Sequence, residues 1–225
     1  MFGLLSRYRR YTVESFLRRR GVAFSSTPLF EGPWPHFDVR GGIILGADCS
    51  FRSYRIKTVL TALDGGVLEI GDSCFINDGV NICAAKRVVI GAFTKIADLA
   101  SIADTPFHDV SPLNPCTREM VTIGRNVLMA AQVGIAGSTE IGDDVMFGGQ
   151  VGVGGHLSIG RGVVAVGQSG VTKSVDDGAM VAGYPAIDAR EWRRASALFR
   201  RLPELKKRLE ALEARLADLD GKASR

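Results

Sequence analysis

The sequence predicts an all-β fold, a parallel β-solenoid built from six-residue repeats. A large aliphatic residue followed by glycine recurs along the chain, and the last three of these dyads are 18 residues apart: Leu45-Gly46, Ile70-Gly71, Ile90-Gly91, Ile123-Gly124, Ile141-Gly142 and Ile159-Gly160. Over the same region every sixth residue is apolar: Ile123, Met129, Ile135, Ile141, Phe147, Val153, Ile159, Ala165 and Val171. A period of six grouped in eighteens indicates three short strands per coil, each pointing one side chain inward.

Composition agrees with this fold. The 225 residues include 27 glycines, too many for a helical bundle, and the 46% hydrophobic content is enough for a core. We expect the glycine of each dyad to make room at a corner and to supply a positive φ there. A glycine-rich β-sandwich with coincidental spacing is the competing fold, and nine successive apolar positions weigh against it.

Both ends of the chain are predicted to be helical. In residues 187–225, leucines alternate at spacings of four and three: Leu198, Leu202, Leu205, Leu209, Leu212, Leu216 and Leu219. This seam predicts a coiled coil that joins subunits, with Pro203 in the first turn of a fresh helix. Residues 1–40 are predicted to hold a basic amphipathic helix that caps the solenoid, a role we favour over contact with a membrane surface. The β-helix itself is assigned to residues 41–186.

Charge and cysteine content narrow the possible partners. The segments 1–20 and 190–208 carry net charges of +5 and +6, whereas the whole chain carries +4. The remaining residues therefore carry a net charge of −7 and offer no nucleic-acid-binding face. The four cysteines, Cys49, Cys74, Cys83 and Cys116, have no metal-binding spacing and read as reduced core residues. Without a recognisable signal peptide or membrane span, we expect a cytoplasmic protein.

One long insertion interrupts the repeat. The step from Ile90 to Ile123 exceeds one 18-residue coil, and the excess is the stretch ADTPFHDVSPLNPCTREM, residues 103–120. Loops that leave a rigid repeat often carry function, and His108 stands at the start of this one. An imidazole can act as a general base, because its pKa lies near neutrality. Asp104 or Asp109 could orient it and stabilise the imidazolium.

These motifs resemble the hexapeptide-repeat acyltransferases, which fold as left-handed parallel β-helices and act as homotrimers with active sites between subunits. The resemblance covers residues 65–190, and 41–64 more loosely. Sugar O-acetyltransferases of the maltose, galactoside and capsule-modifying type carry a histidine in a similar Asp-x-x-Phe-His setting, followed by Ile-Gly. Asp104 to His108, followed by Ile123-Gly124, is similar to it. The resemblance implies His108 as general base, acetyl-CoA as donor, and a sugar, sugar-nucleotide or polysaccharide hydroxyl as acceptor.

The same resemblance implies further site residues. Asn77 matches an acceptor-binding asparagine, although a buried structural asparagine would explain it equally. The family uses small residues to admit the pantetheine arm of coenzyme A, and the matching positions here are Ala131, Gly149 and Gly167. Thr172-Lys173 matches a Thr-Lys pair near the adenosine end of the cofactor. Gly183-Tyr184-Pro185-Ala186 is similar to the family's Gly-Asn-Pro-Ala ending. Leu128 replaces a tryptophan common in these enzymes.

A second resemblance concerns residues 140–216, which are similar to the end of the UDP-3-O-acyl-glucosamine N-acyltransferases. It implies that His156 contacts a phosphopantetheine arm, and that the basic stretch 190–208 suits an acidic acyl carrier protein. The runner-up function is therefore carrier-protein-dependent N-acylation of an amino sugar.

Two other classes are carried as alternatives. A non-catalytic trimeric scaffold could use the same prism, and so could a metalloenzyme of the γ-carbonic-anhydrase type. The latter needs three metal-binding histidines, and His36, His108 and His156 lack that family's spacing. No metal is expected.

Overall fold

A computed structural model of the protein describes residues 2–105, 120–199 and 201–223, with side chains for 10–105, 120–199 and 201–216. The chain begins with α1 (Phe2–Arg19) and ends with α2 (Ala189–Phe199) and α3 (Leu202–Ala223). Between them lie short strands: β1 Val22–Phe24, β2 Leu29–Glu31, β3 His36–Val39, β4 Gly42–Leu45, β5 Ser50–Arg52, β6 Val59–Ala62, β7 Val67–Ile70, β8 Phe75–Ile76, β9 Asn81–Ala84, β10 Arg87–Ile90, β11 Lys95–Ile96, β12 Ser101–Ala103, β13 Val121–Ile123, β14 Leu128–Met129, β15 Gly134–Ile135, β16 Glu140–Ile141, β17 Met146–Phe147, β18 Gly152–Val153, β19 Ser158–Ile159, β20 Val164–Ala165, β21 Gly170–Val171, β22 Met180–Ala182 and β23 Ile187–Asp188.

The strands form three faces of a prism, and each coil gives one strand to each face. Face A is β1-β4-β7-β10-β13-β16-β19, face B is β2-β5-β8-β11-β14-β17-β20-β22-β23, and face C is β3-β6-β9-β12-β15-β18-β21. Corresponding residues of successive coils pair in parallel, except that β23 runs antiparallel to β22. The AB, BC and CA edges are named after the faces that they join in chain order. The predicted left-handed parallel β-helix with a helical C-terminal part is confirmed.

The interior is a stack of the predicted apolar positions. All nine residues of the six-residue series, from Ile123 to Val171, are at most 4% exposed. Each strand therefore turns one side chain inward and leaves its neighbours on the outer face, as a strand's alternation of sides requires.

The dyad glycines make room at the corners, as expected. A β-carbon on Gly142 would lie 2.7 Å from the backbone nitrogen of Arg161 in the next coil, and Gly124 is equally close to its neighbour. None of the six dyad glycines has a positive φ. The left-handed position falls two residues later, where Asp48, Phe93 and Asn126 adopt it. The expectation of positive φ at the dyads was wrong. Glycine is required there because the backbone of the next coil leaves no room for a β-carbon.

The solenoid reaches further towards the N-terminus than the sequence pattern indicates. Its first coil is β1 to β3, ahead of the boundary placed at residue 41, and it includes His36. Phe30 and Phe37 fill its interior in place of aliphatic residues, which hides the repeat. Val13 and Leu17 of α1 are buried against this coil, so the second half of the helix covers the open end of the prism.

The C-terminal helices begin as the sequence indicates. The Asp188 carboxylate accepts hydrogen bonds from the backbone N–H groups of Arg190 and Glu191, which caps α2. Pro203 is the second residue of α3. The leucine seam of α3, from Leu202 to Leu216, is exposed in the single chain. None of the helices that the structure describes is long and apolar enough to cross a membrane.

Candidate functional site

The outer surface of face C carries a groove floored by glycine. Ser101, Gly134, Gly152 and Gly170 occupy one position on four successive strands, and the groove that they line has a volume of about 450 Å³. A β-carbon on Gly134 or Gly152 would meet nothing within 4 Å, so the floor is open above these two coils. The glycines thus leave backbone accessible where a side chain would fit without strain.

One end of the groove is closed by an aromatic ring. The ring of Tyr184 packs onto Gly170. Gly183, which precedes Tyr184 in the chain and has a φ of +91°, packs under the ring of Trp192 from α2. The predicted Gly183-Tyr184-Pro185-Ala186 ending therefore folds back onto face C. Both glycines are required here by the ring that each one contacts.

The CA edge borders this groove and carries the start of the insertion. Asp104 is 1% exposed, and its carboxylate accepts backbone N–H groups from the preceding coil, at 2.6 Å from Ala85 and 2.7 Å from both Lys86 and Arg87. Both carboxylate oxygens are thus engaged by the backbone, which fastens the start of the insertion to the solenoid. His108 and Asp109 lie outside the described residues.

Three of the residues implied in donor binding lie on the same edge. Thr172 follows β21 and lines the groove, and Lys173 comes next on the exposed edge. His156, at φ +62°, donates its backbone N–H to the carbonyl of Gly137 at 3.1 Å. Because strands of neighbouring coils lie roughly 4.8 Å apart, these residues lie within about 15 Å of Asp104 along the prism.

The other implied donor residues line the BC edge, on the far side of face C. Ala131, Gly149 and Gly167 stack in successive coils. A β-carbon on Gly149 would make only an ordinary contact of 3.6 Å, so packing alone does not demand glycine there. The next residues form a ladder of side-chain amides, in which Gln150 donates to Gln132 at 2.8 Å and Gln168 donates to Gln150 at 3.0 Å.

Asn77 lies on the BC edge two coils before Ala131. Its side-chain Nδ2 donates to the Asp98 carboxylate, while its Oδ1 is buried and accepts no hydrogen bond. The guanidinium of Arg55 lies 3.7 Å from Asp78 and 3.6 Å from Asp98. Sequence reasoning missed these three charged residues. The available signal was that Asp78 and Asp98 each come two residues after an inward isoleucine in consecutive coils.

The cysteines within the described residues are buried thiols. Burial raises the pKa of Cys49 and of Cys83, and it raises the pKa of Cys74 to about 12. Among the residues that the structure describes, no group of three or more His, Cys, Asp or Glu side chains is suited to hold a metal ion. Residues 106–119 lie outside that search. Cys116 belongs to that segment.

Comparison with known proteins finds sequence relatives that are named as acyltransferases. No protein-family model matches it. A UDP-3-O-acylglucosamine N-acyltransferase from a Geobacter species is 42% identical over 172 residues, which are 76% of this chain and 44% of that protein. The protein of that name from Synechococcus elongatus is 51% identical over 139 residues, 62% of this chain and 35% of the relative. The chain thus spans less than half the length of these relatives.

Solved structures share the fold. UDP-N-acetylglucosamine O-acyltransferase from Moraxella catarrhalis superposes with a TM-score of 0.51 at 21% identity, covering 78% of this chain and 76% of that one. The chain is therefore similar in sequence to the relatives above and shares the β-helical fold of this structure. A variant of AntD, an N-acyltransferase from Bacillus cereus in complex with dTDP and coenzyme A, superposes with a TM-score of 0.52 at 15% identity. The match covers 83% of this chain and 96% of that one.

In this hexapeptide-repeat protein, face C lies between the two sets of predicted residues. The CA edge holds Asp104, His156 and Thr172, and the BC edge holds Asn77 and the small residues. The glycine groove runs between them. The apolar groove of face C is therefore bordered by polar residues on both the CA edge and the BC edge.

Proposed function

We propose that the protein transfers an acyl group from a pantetheine thioester to a sugar. The observation that carries this proposal is the glycine-floored groove on face C, which has the insertion at one border. A pantetheine arm is long, narrow and rich in amide groups. It can lie flat against the bare backbone of Gly134 and Gly152, whose N–H groups are engaged between coils, and make van der Waals contact there, as a groove of this shape favours.

His108 is the general base in this proposal. It takes the proton of the acceptor as the acceptor attacks the thioester carbonyl, and it returns a proton to the leaving thiolate. Main-chain N–H groups at the groove meet the oxyanion of the tetrahedral intermediate. Because backbone N–H groups already engage both oxygens of Asp104, we assign the orientation of the imidazole to Asp109 and the fastening of the insertion to Asp104.

The acceptor is a sugar hydroxyl or a sugar amine. The catalytic segment resembles that of the O-acetyltransferases and favours acetyl transfer from acetyl-CoA to a hydroxyl. The names of the relatives favour the second candidate, N-acylation of an amino sugar. In that case an acyl carrier protein is a suitable donor, since Arg190, Arg193 and Arg194 of α2 are exposed and the carrier is acidic.

We further propose that the active enzyme is a cytoplasmic homotrimer. Leu128, Met146 and Met180 expose a row of apolar side chains on face B, and the α3 leucines expose another. Exposed apolar surfaces of this kind mark interfaces, and a threefold prism with a threefold coil gives both the same symmetry. The helix α1 then acts as a cap, the solenoid from β1 onward as the catalytic β-helix, and residues 187–225 as the assembly segment.

The test is substitution of His108 in the full-length protein. With a panel of coenzyme A and carrier-protein thioesters, His108→Ala should lower kcat by at least about a hundredfold, the usual value of a general base. His36→Ala is the matched control, because His36 is exposed on the first coil, away from the groove. Undiminished turnover in folded His108→Ala would remove this histidine from the mechanism. Absence of any thioester turnover by the wild-type protein would reject the proposed function itself.

A further inference from the structure

Phe93, on the AB edge, has a backbone conformation that suits few large residues. Its φ is +63°, in the left-handed region, where an aromatic residue is uncommon because its β-carbon crowds the backbone. Unfavourable conformations of this kind are concentrated at functional sites. Other coils place a small polar residue or glycine at the same corner: Asp48, Ser73, Asn126, Asp144 and Gly162.

The ring of Phe93 is held in place but is not covered. The guanidinium of Arg125, in the next coil, lies over the ring at 5.8 Å from its centre, which is a cation–π contact. The backbone N–H of Phe93 donates to the carbonyl of Asp72 at 2.8 Å and fixes the corner to the preceding coil. Phe93 nevertheless remains 48% exposed. The AB edge therefore presents an aromatic surface to solvent in a fixed position.

This aromatic surface borders a cavity of about 510 Å³. The cavity runs along four successive coils, from the corner of Ser73 to that of Asp144, which is about 14 Å at the usual spacing of roughly 4.8 Å between neighbouring strands. The other residues that line it all have polar side chains: Ser73, Lys95, Arg125, Asn126, Asp143 and Asp144. The cavity thus combines one aromatic wall with hydrogen-bonding groups on every other side.

The charges around the ring are balanced. Lys95 and Arg125 contribute two positive charges, and Asp143 and Asp144 contribute two negative ones. Among the residues with described side chains, neither of these cations forms an ion pair. Asp143 Oδ1 accepts the backbone N–H of Arg125 at 2.7 Å, and Asp144 Oδ1 accepts Nδ2 of Asn126 at 2.9 Å. The second oxygen of each carboxylate is left to accept a hydrogen bond from a ligand.

We propose that this cavity on the AB edge binds a short, neutral oligosaccharide. The C–H groups of a sugar ring can pack on the electron-rich face of an aromatic ring such as that of Phe93. Each sugar hydroxyl both donates and accepts, so it can use cations and carboxylates alike. A phosphate would be repelled by Asp143 and Asp144, and an ammonium group would be repelled by Lys95 and Arg125.

The position of the cavity separates it from the groove described above. The cavity lies on the AB edge, whereas the insertion leaves the solenoid at the CA edge and the glycine-floored groove lies on face C. The inference therefore goes beyond the proposed transfer reaction and does not rest on it. Its length along four coils suits an oligosaccharide better than a single sugar.

Binding is tested by ligand-observed NMR titration of the full-length protein with maltotetraose and with cellotetraose, which differ in linkage. Sorbitol is the control ligand, because it carries hydroxyl groups but no sugar ring. Wild-type protein should bind at least one of the two tetrasaccharides at least about tenfold more tightly than sorbitol, since only a ring can pack on Phe93.

Phe93→Asn separates binding from folding. Asparagine adopts the left-handed conformation more readily than phenylalanine, so the urea midpoint of unfolding should not fall. Loss of the aromatic surface should weaken tetrasaccharide binding at least about tenfold. Leu99→Asn is the matched control, because Leu99 is also left-handed, at φ +60°, and exposed, but lies on the BC edge of the same coil. It should keep the wild-type affinity.

Lys95→Ala gives a second arm that leaves every corner unchanged, and it should weaken binding about threefold through loss of a hydrogen-bond donor. Equal binding of sorbitol and the tetrasaccharides, no detectable binding of either tetrasaccharide, or undiminished affinity in folded Phe93→Asn overturns the proposal. A lower molecular mass of Phe93→Asn in light scattering also overturns it, because the ring would then serve contact between copies. Thioester turnover is measured separately, so a protein that binds tetrasaccharide but turns over no thioester would reject the proposed function and keep this site.

Discussion

The ring of Tyr184 lies so close to Gly170 that a β-carbon on this glycine would come within 1.8 Å of the ring. The contact ends the groove of face C at that coil. The floor over Gly134 and Gly152 stays open. A ligand that enters from the Ser101 side therefore has two glycine coils to lie on before it meets an aromatic surface.

A first prediction concerns that floor. Gly152→Ala places a methyl group in open space, so the fold should tolerate it and gain up to about 1 kcal/mol from reduced chain entropy. The methyl group occupies the proposed pantetheine path, and the KM for the thioester should rise at least about tenfold with little change in kcat.

Gly42→Ala on face A is the matched control, because a β-carbon there meets only an ordinary contact of 3.9 Å. Steady-state kinetics with both variants provide the comparison. An unchanged KM for Gly152→Ala would place the donor elsewhere.

A second prediction concerns the corners. Gly142→Ala would push a β-carbon against the Arg161 backbone at 2.7 Å, and hydrogen bonds between coils prevent that backbone from moving away. Overpacking of this kind should lower the free energy of unfolding by about 3 kcal/mol. Chemical denaturation measures it, with Gly134→Ala as the tolerated counterpart. Equal stability of the two variants would mean that the coils separate more easily than their contacts indicate.

A third prediction concerns pH. Burial raises the pKa of the Cys74 thiol from its ordinary value to about 12, and its Sγ–H donates to the carbonyl of Gly91 at 3.3 Å. A group whose pKa is raised on folding stabilises the protein below its unfolded pKa, and that contribution is lost as pH rises through the folded value. Wild-type protein should therefore lose unfolding free energy between about pH 9 and pH 10.5, by about 1–2 kcal/mol.

Cys74→Val should show a smaller loss over the same range, and valine suits the site because Val127 and Val145 hold the same inward position in later coils. The measurement is a denaturant titration at each pH. Parallel curves for the two proteins would contradict the assignment of this loss to Cys74.

A fourth prediction concerns assembly. Leu209→Glu combined with Leu212→Glu puts two charges into the exposed seam of α3, where subunits are proposed to meet, and should shift the protein from trimer towards monomer. Light scattering after size-exclusion chromatography measures the mass. Ala214→Glu introduces one negative charge on the opposite side of the helix and should leave the trimer intact. An unchanged mass in the double variant would assign trimer formation, if present, to face B alone.

The six-residue series from Ile123 to Val171 could be predicted because an inward position repeated by a regular coil must be apolar every time. The first coil could not, since Phe30 and Phe37 fill the space beneath α1 and no aliphatic-glycine dyad marks its corner. Local spacing predicts a coil only where the coil resembles its neighbours.

The site was predicted in part for a similar reason. Residues after an inward position, such as Ala131, Gly149 and Thr172, could be placed on an edge by counting. The contacts that decide their roles join different coils and leave no local pattern. Asp104 is adjacent to the backbone of Lys86, and Asn77 to Asp98, only because coils stack.

The covering of the first coil by α1 has a consequence for solubility. An open end of a β-solenoid presents unpaired strand backbone that could template another chain, and stacking end to end would produce filaments. Arg20, next to the end of α1, donates to the Phe37 carbonyl at 3.1 Å, while Val13 and Leu17 seal the interior. At the opposite end, the antiparallel β23 occupies the border of face B. Both ends of the solenoid therefore carry contacts that oppose end-to-end growth along its axis.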